Sequence, residues 1–180
     1  LVVAYAEVLG LVAPAQGPDS GTGRFDEAVR ALGELGVARQ LRPVVGRTGE
    51  RDLANAAAEA LDAIEGSPLP AAEWTALDEV LGNMLPGLVG VSMSSVSRYR
   101  AGTRTTPDAV AARLHVLALI VTDLAGSYNE FGIRRWFQRP RSALDGRAPR
   151  EILSGGWQTT AADTVRVREL AASLTGPGAW

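Results

Sequence analysis

Cysteine and lysine are absent from this chain of 180 residues, and histidine occurs once, at His115. Without cysteine there is neither a disulfide nor a zinc–thiolate site, and composition leaves the redox compartment open. One histidine is too few for a histidine-rich metal site or for most nucleophile–histidine triads. Gly21-Thr22-Gly23 lacks the lysine and the preceding strand that a phosphate loop requires. Asp145 and Glu151 fit ordinary turn and helix roles rather than those of an acid pair, and no nucleophile has a base beside it. The sequence therefore predicts no enzyme, with no catalytic residue, cofactor or metal. Long apolar runs are also missing. The best, Val116 to Val121, sits in a segment bearing Arg113 and Asp123, far short of the roughly 20 residues of a membrane span. A cytoplasmic protein without a membrane partner is expected. Leu1 stands where a Met would start a chain, which predicts a segment upstream of it.

Hydrophobic residues make up 46% of the chain, enough for a packed core. The net charge of −2 conceals an asymmetry. Residues 91–150 carry ten arginines against four acids, whereas residues 1–90 carry six arginines against thirteen acids. A basic block beside an acidic one suits a phosphate-binding segment joined to something that must not bind nucleic acid. All eighteen cations are arginine, which fits a GC-rich coding bias, although arginine also suits bidentate phosphate and guanine contacts.

Apolar spacing predicts an all-α chain. Leu1–Ala13 is apolar, Pro14–Gly23 reads as a loop, and Asp26–Leu41 has a helical pattern broken near Gly36. After a connection over Pro43–Gly49, Leu53, Ala57, Leu61 and Ile64 form one stripe of a helix over Glu50–Ile64. Ser67-Pro68-Leu69-Pro70 reads as a linker. The expected organisation is an N-terminal helical region over 1–66, suited to dimerisation, a DNA-binding region over 70–125, a partner-binding region over 126–175 and a tail over 176–180. Trp74, Leu77 and Leu81 share one face of the helix that opens the second part, and Trp136 is expected in the core. Thr106-Pro107-Asp108 predicts a Thr-capped helix running to Leu124, with Val110, Leu114, Leu117, Val121 and Leu124 inward and His115 a core or boundary residue. Ser127 and Glu130 have capping-box spacing, and Thr160 with Asp163 predicts the start of the last helix.

The most informative stretch is Gly90 to Gly102. It predicts the turn and second helix of a helix-turn-helix. Gly90 accommodates a positive φ, Ser92 caps the next helix, Val96 and Tyr99 share a buried face, and Gly102 ends the helix. Pro86 is tolerable only in the first turn of the preceding helix over Asn83–Val89, which must then be short. Ser94, Ser95 and Arg98 are expected on the outer face near the helix start, where base edges are read, with Met93, Ser94 and Arg98 the candidate base contacts. Ser92, Ser97, Arg100 and Arg104 are placed to contact phosphates. The bland alternative is a helical hairpin with a solvated polar face.

Behind this motif follow Ile133-Arg134-Arg135-Trp136-Phe137 and then Pro140-Arg141-Ser142-Ala143-Leu144-Asp145-Gly146-Arg147-Ala148-Pro149-Arg150-Glu151-Ile152-Leu153. Over about residues 70 to 175 this order resembles the Xre/MbcA/ParS antitoxin family, whose toxin-binding domain carries a W…P…L-x-G-R-x-P-x-E-x-L signature. Trp136, Pro140, Leu144, Gly146, Arg147, Pro149, Glu151 and Leu153 fill those places. The resemblance implies an antitoxin that covers the active site of a RES-domain, NAD-destroying toxin, binds its own operator DNA, and brings the segment from Trp157 to Trp180 near the toxin pocket. A homodimer is expected, because single-helix readers usually work in pairs. Candidate partner-binding residues are Arg134, Arg147, Trp157 and Trp180. Arg147 equally suits a strut that binds carbonyls at its loop, and Trp157 equally suits a contact within the fold. Other readings of the same sequence are a stand-alone transcription regulator and a helical adaptor that binds only protein.

Overall fold

The computed structural model describes residues 1–15, 21–37 and 50–174, and all regular structure within them is helical. The chain divides into two compact units, Leu1–Leu69 and Pro70–Trp180.

The first unit contains α1 (Val2–Val8), α2 (Gly21–Glu34) and α3 (Glu50–Glu65). α1 packs on both α2 and α3. Its core joins Tyr5 and Ala6 to Phe25, Val29 and Leu32, and to Ala60 and Ile64. Arg24 bridges the carboxylate of Glu7 and the carbonyl of Ala13. α2 starts at Gly21, inside the stretch that reads as a loop. Burial of Phe25 and Val29 outweighs the two glycines of its first turn, each worth about 1 kcal/mol against alanine. The helix stops before Gly36, whose φ of 99° breaks it as the sequence predicts. α3 is rotated from the expected stripe. Ala56, Ala60 and Ile64 are buried, while Leu53, Ala57 and Leu61 are half-buried and line an open apolar cavity of about 280 Å³ with Val2, Val3 and Phe25. The connection over 43–49 lies outside the described residues.

The second unit is built on α7 (Asp108–Ala125), which buries Leu114, Leu117, Ile120, Val121 and Leu124. α4 (Pro70–Leu81) and α10 (Ala162–Ala172) pack against it. A 3-10 turn over Gly82–Met84 leads to the short α5 (Leu85–Val89), then to α6 (Met93–Arg100). Pro86 falls in the first turn of α5, where no intrahelical amide is lost. After α7 the chain bends by 118° into α8 (Glu130–Gln138). A 3-10 turn over Ser142–Leu144 and α9 (Pro149–Ile152) complete the order before α10. α8 touches both α4 and α7, so residues 126–174 share one core with 70–125. Among the described residues no single helix is long and apolar enough to cross a membrane.

Three helix starts differ from the expected caps. Thr106 does not cap α7. Pro107 takes the cap position, and the Thr106 hydroxyl accepts the indole N–H of Trp74 at 2.8 Å. A fully buried indole needs an acceptor more than an exposed helix start needs a side-chain cap. Asn129 rather than Ser127 caps α8, accepting from the Gly132 amide at 2.9 Å, while Ser127 donates to the Leu174 carbonyl. α10 starts after Ala161 without a side-chain cap, and Asp163 in its first turn supplies the favourable charge.

The Trp74–Thr106 bond carries a measurable consequence. Thr106→Val keeps the side-chain shape and removes the acceptor, and it is expected to cost about 1–3 kcal/mol. Urea unfolding followed by circular dichroism measures this, and an unchanged midpoint would show that the bond contributes nothing net.

Candidate functional site

The exposed surface of α6 follows from what its inner face must bury. Tyr99 stacks on Trp74 of α4 with ring centroids 5.5 Å apart and planes inclined by 22°. Val96 is buried beside it, while Tyr99 retains 6% exposure. With these two inward, the helical period leaves Met93, Ser94, Ser97 and Arg98 exposed. Met93 keeps 49% of its surface in solvent.

The turn before α6 is held from several sides. Gly90 adopts φ 73°, and the amides of Gly90 and Val91 both return to the Pro86 carbonyl. Arg113 of α7 donates its Nε–H to the Val89 carbonyl at 2.9 Å, satisfying the end of α5. Ser92 then caps α6, its hydroxyl accepting from the Ser95 amide at 3.2 Å and lying 3.0 Å from the hydroxyls of both Ser94 and Ser95. At the far end Gly102 has φ 67°, and Thr103 returns its amide and hydroxyl to the Arg98 carbonyl.

The seven residues predicted to meet DNA thus fall into distinct settings. Arg98 is exposed, and its guanidinium has no ion pair or hydrogen bond among the described residues. Met93 and Ser94 are exposed with it. Ser97 is exposed but donates to the Met93 carbonyl at 3.2 Å. Ser92 serves as the cap. Arg100 pairs with Asp78 of α4 and remains accessible. Arg104 lies over the Tyr99 ring, 5.5 Å from its centroid, and is otherwise exposed.

The residues predicted to meet a partner are mostly engaged within the chain. Arg134 donates to the Val80 carbonyl at 2.7 Å and lies 3.5 Å from Glu130. Arg147 pairs with Asp163 at 2.8 Å, and Trp157 is half-buried with its indole N–H donating to the Leu88 carbonyl at 2.6 Å. Arg147 thus reaches a carboxylate of α10 rather than the carbonyls of its own loop that a strut there would bind, and Trp157 makes a contact within the fold. Trp180 lies outside the described residues. In the loop before Arg147, a hydrogen bond and the charge of Arg166 hold the Asp145 carboxyl below its usual range. Arg141 stacks over Trp136, 5.3 Å from its centroid, and burial pushes its pKa down.

Glu73 is the residue that sequence reasoning missed. It is fully buried, and its Oε1 lies 2.5 Å from Nδ1 of the buried His115. The signal was its spacing: Glu73, Leu77 and Leu81 recur every four residues and lie on the face that α4 buries. Among the described residues no group of three or more acids and histidines is placed to hold a metal ion.

No family model, curated protein or solved structure matches this chain.

Proposed function

We propose that this chain is a sequence-reading DNA-binding protein in which α5, the Gly90 turn and α6 act as a helix-turn-helix, and that it serves as the antitoxin of a RES-domain toxin. The observation that supports the DNA reading best is the outward face of α6. A serine-capped helix start presents Met93, Ser94 and an uncommitted Arg98 on one side while Val96 and Tyr99 anchor the other. Arg98 is the discriminating residue, because one guanidinium matches the two acceptors of guanine in the major groove. Arg100 and Arg104 flank it as phosphate contacts, at the expense of the Asp78 pair in the case of Arg100. Two copies bound to paired half-sites supply the affinity.

The antitoxin part rests on the resemblance carried by Trp136 to Leu153. Arg134, Arg147 and Trp157 are occupied within the chain, so the apolar area for a toxin contact comes instead from Phe131, 66% exposed, and Tyr128 beside it. Such a contact depends less on salt than a phosphate contact does.

The test is a mobility-shift titration against the DNA upstream of its own gene, at low and high salt, with a RES-domain toxin encoded nearby co-expressed in a growth assay. The wild-type chain is expected to shift that DNA and to lose affinity steeply as salt rises. Arg98→Ala is expected to remove about 1–3 kcal/mol of discrimination, erasing the difference between specific and random DNA while the circular dichroism spectrum stays unchanged. Absence of any shift by the wild type at low salt defeats the DNA reading, and failure to restore growth defeats the antitoxin reading.

A further inference from the structure

A cleft of about 250 Å³ opens between α5 and α9, lined by Asn83, Met84, Gly87, Leu88, Arg150 and Ser154. We propose that it binds a small organic acid, a carboxylate carried on a short apolar stem. The chemistry of the lining divides into two parts. Met84 and Leu88 provide a thioether and an isobutyl group, with Met84 held in place by a contact from the Gln138 amide to its sulfur at 3.3 Å. Arg150 and Asn83 are exposed, and neither side chain has a hydrogen-bond partner or ion pair among the described residues. A guanidinium and a carboxamide beside an apolar floor match a carboxylate, which takes paired N–H donors, with a hydrocarbon body behind it.

The nearby acid forms no ion pair with this cation. The carboxylate of Glu151 turns back to the Ala148 amide at 2.7 Å. The Ser154 hydroxyl commits its one hydrogen to the Glu151 carbonyl at 3.2 Å, so the donors for a carboxylate are those of Arg150 and Asn83. The walls are fixed before any ligand arrives. The Gly155 amide donates to the Gly87 carbonyl at 3.2 Å, and the Trp157 indole donates to the Leu88 carbonyl at 2.6 Å. Gly87 leaves the cleft open, since a Cβ added there meets nothing within 4 Å. The volume lies below the about 300–1,000 Å³ of sites for drug-sized ligands, which sets the ligand at the size of a single ring or a short chain. A phosphate ion has the charge but no apolar part for the floor, and a neutral amide has the body but no charge for Arg150.

Carboxylate binding here is independent of the DNA reading, because its readout uses no DNA. The full chain, labelled with ¹⁵N, is titrated by NMR with benzoate, benzamide and inorganic phosphate at matched ionic strength. Benzoate is expected to move the Trp157 indole N–H and the Gly87 and Gly155 amides saturably, in the millimolar range, while benzamide and phosphate leave them in place. Arg150→Gln is expected to weaken benzoate by about tenfold, and Gly87→Met is expected to fill the cleft and abolish the response. The spectra themselves report that each variant is folded. Equal movement with benzamide, equal movement with phosphate, no movement with benzoate, or an Arg150→Gln variant that binds benzoate as the wild type does would each overturn the proposal.

Discussion

Glu73→Ala is expected to lower the unfolding free energy by about 3–5 kcal/mol, the scale for removing one member of a buried pair. The substitution deletes the carboxylate 2.5 Å from His115 and leaves a buried imidazole facing a cavity where α4 meets α7. Two costs add: the loss of the buried Glu73–His115 hydrogen bond, and a void that the neighbouring apolar side chains fill only in part. The effect reaches α6, because the next residue, Trp74, is the platform on which Tyr99 stacks. Urea unfolding gives the loss directly. The double variant Glu73→Leu with His115→Leu replaces both polar groups by apolar ones and is expected to recover most of it, since an apolar pair of similar volume is often as stable as the polar pair it replaces. A single variant that loses less than about 1 kcal/mol, below that whole range, would show that the pair contributes no more than a surface contact.

The contrast between Glu73 and Ser92 shows which parts of this molecule are legible in its sequence. Ser92, Gly102 and Pro86 act over three or four residues, so their roles follow from local spacing and conformational preference alone, as does the positive φ of Gly90 though not its close approach to Gly155. The all-α class and the inward positions of α7 follow from apolar periodicity in the same way. Thr106 defeats that logic. Its sequence neighbours favour a cap, yet its hydroxyl serves an indole brought from α4 by the fold. Asn129 and Ser127 are both competent caps by residue type, and the choice between them depends on where Leu174 lies. The outward face of α6 was legible because it is the complement of Val96 and Tyr99. That Arg100 meets Asp78, that Arg134 meets the Val80 carbonyl, and that Trp157 meets the Leu88 carbonyl was not, because each joins elements far apart in the chain. The cleft at Arg150 was invisible for the same reason.

Gly90→Ala is the second large expected effect, and it separates two demands that one glycine meets. The first is conformational. At φ 73° a side chain costs about 1–2 kcal/mol. The second is spatial. A Cβ at this position lies 2.0 Å from the Gly155 carbonyl oxygen and 2.5 Å from its carbon, so the backbone itself must move. Moving it strains the bonds from Gly155 to the Gly87 carbonyl and from Trp157 to the Leu88 carbonyl, each worth about 1 kcal/mol net. The sum is about 3–4 kcal/mol. Gly102→Ala is the matched control, because Gly102 has φ 67° and open space where its Cβ would go. It is expected to lose only the conformational part, about 1–2 kcal/mol. Thermal or urea unfolding of the two variants side by side measures the difference, and the indole N–H resonance of Trp157 should shift in Gly90→Ala alone. Equal losses in the two variants would mean that the close approach to Gly155 costs nothing to relieve. The turn before α6 would then be set by local backbone preference, without the loop that follows α9.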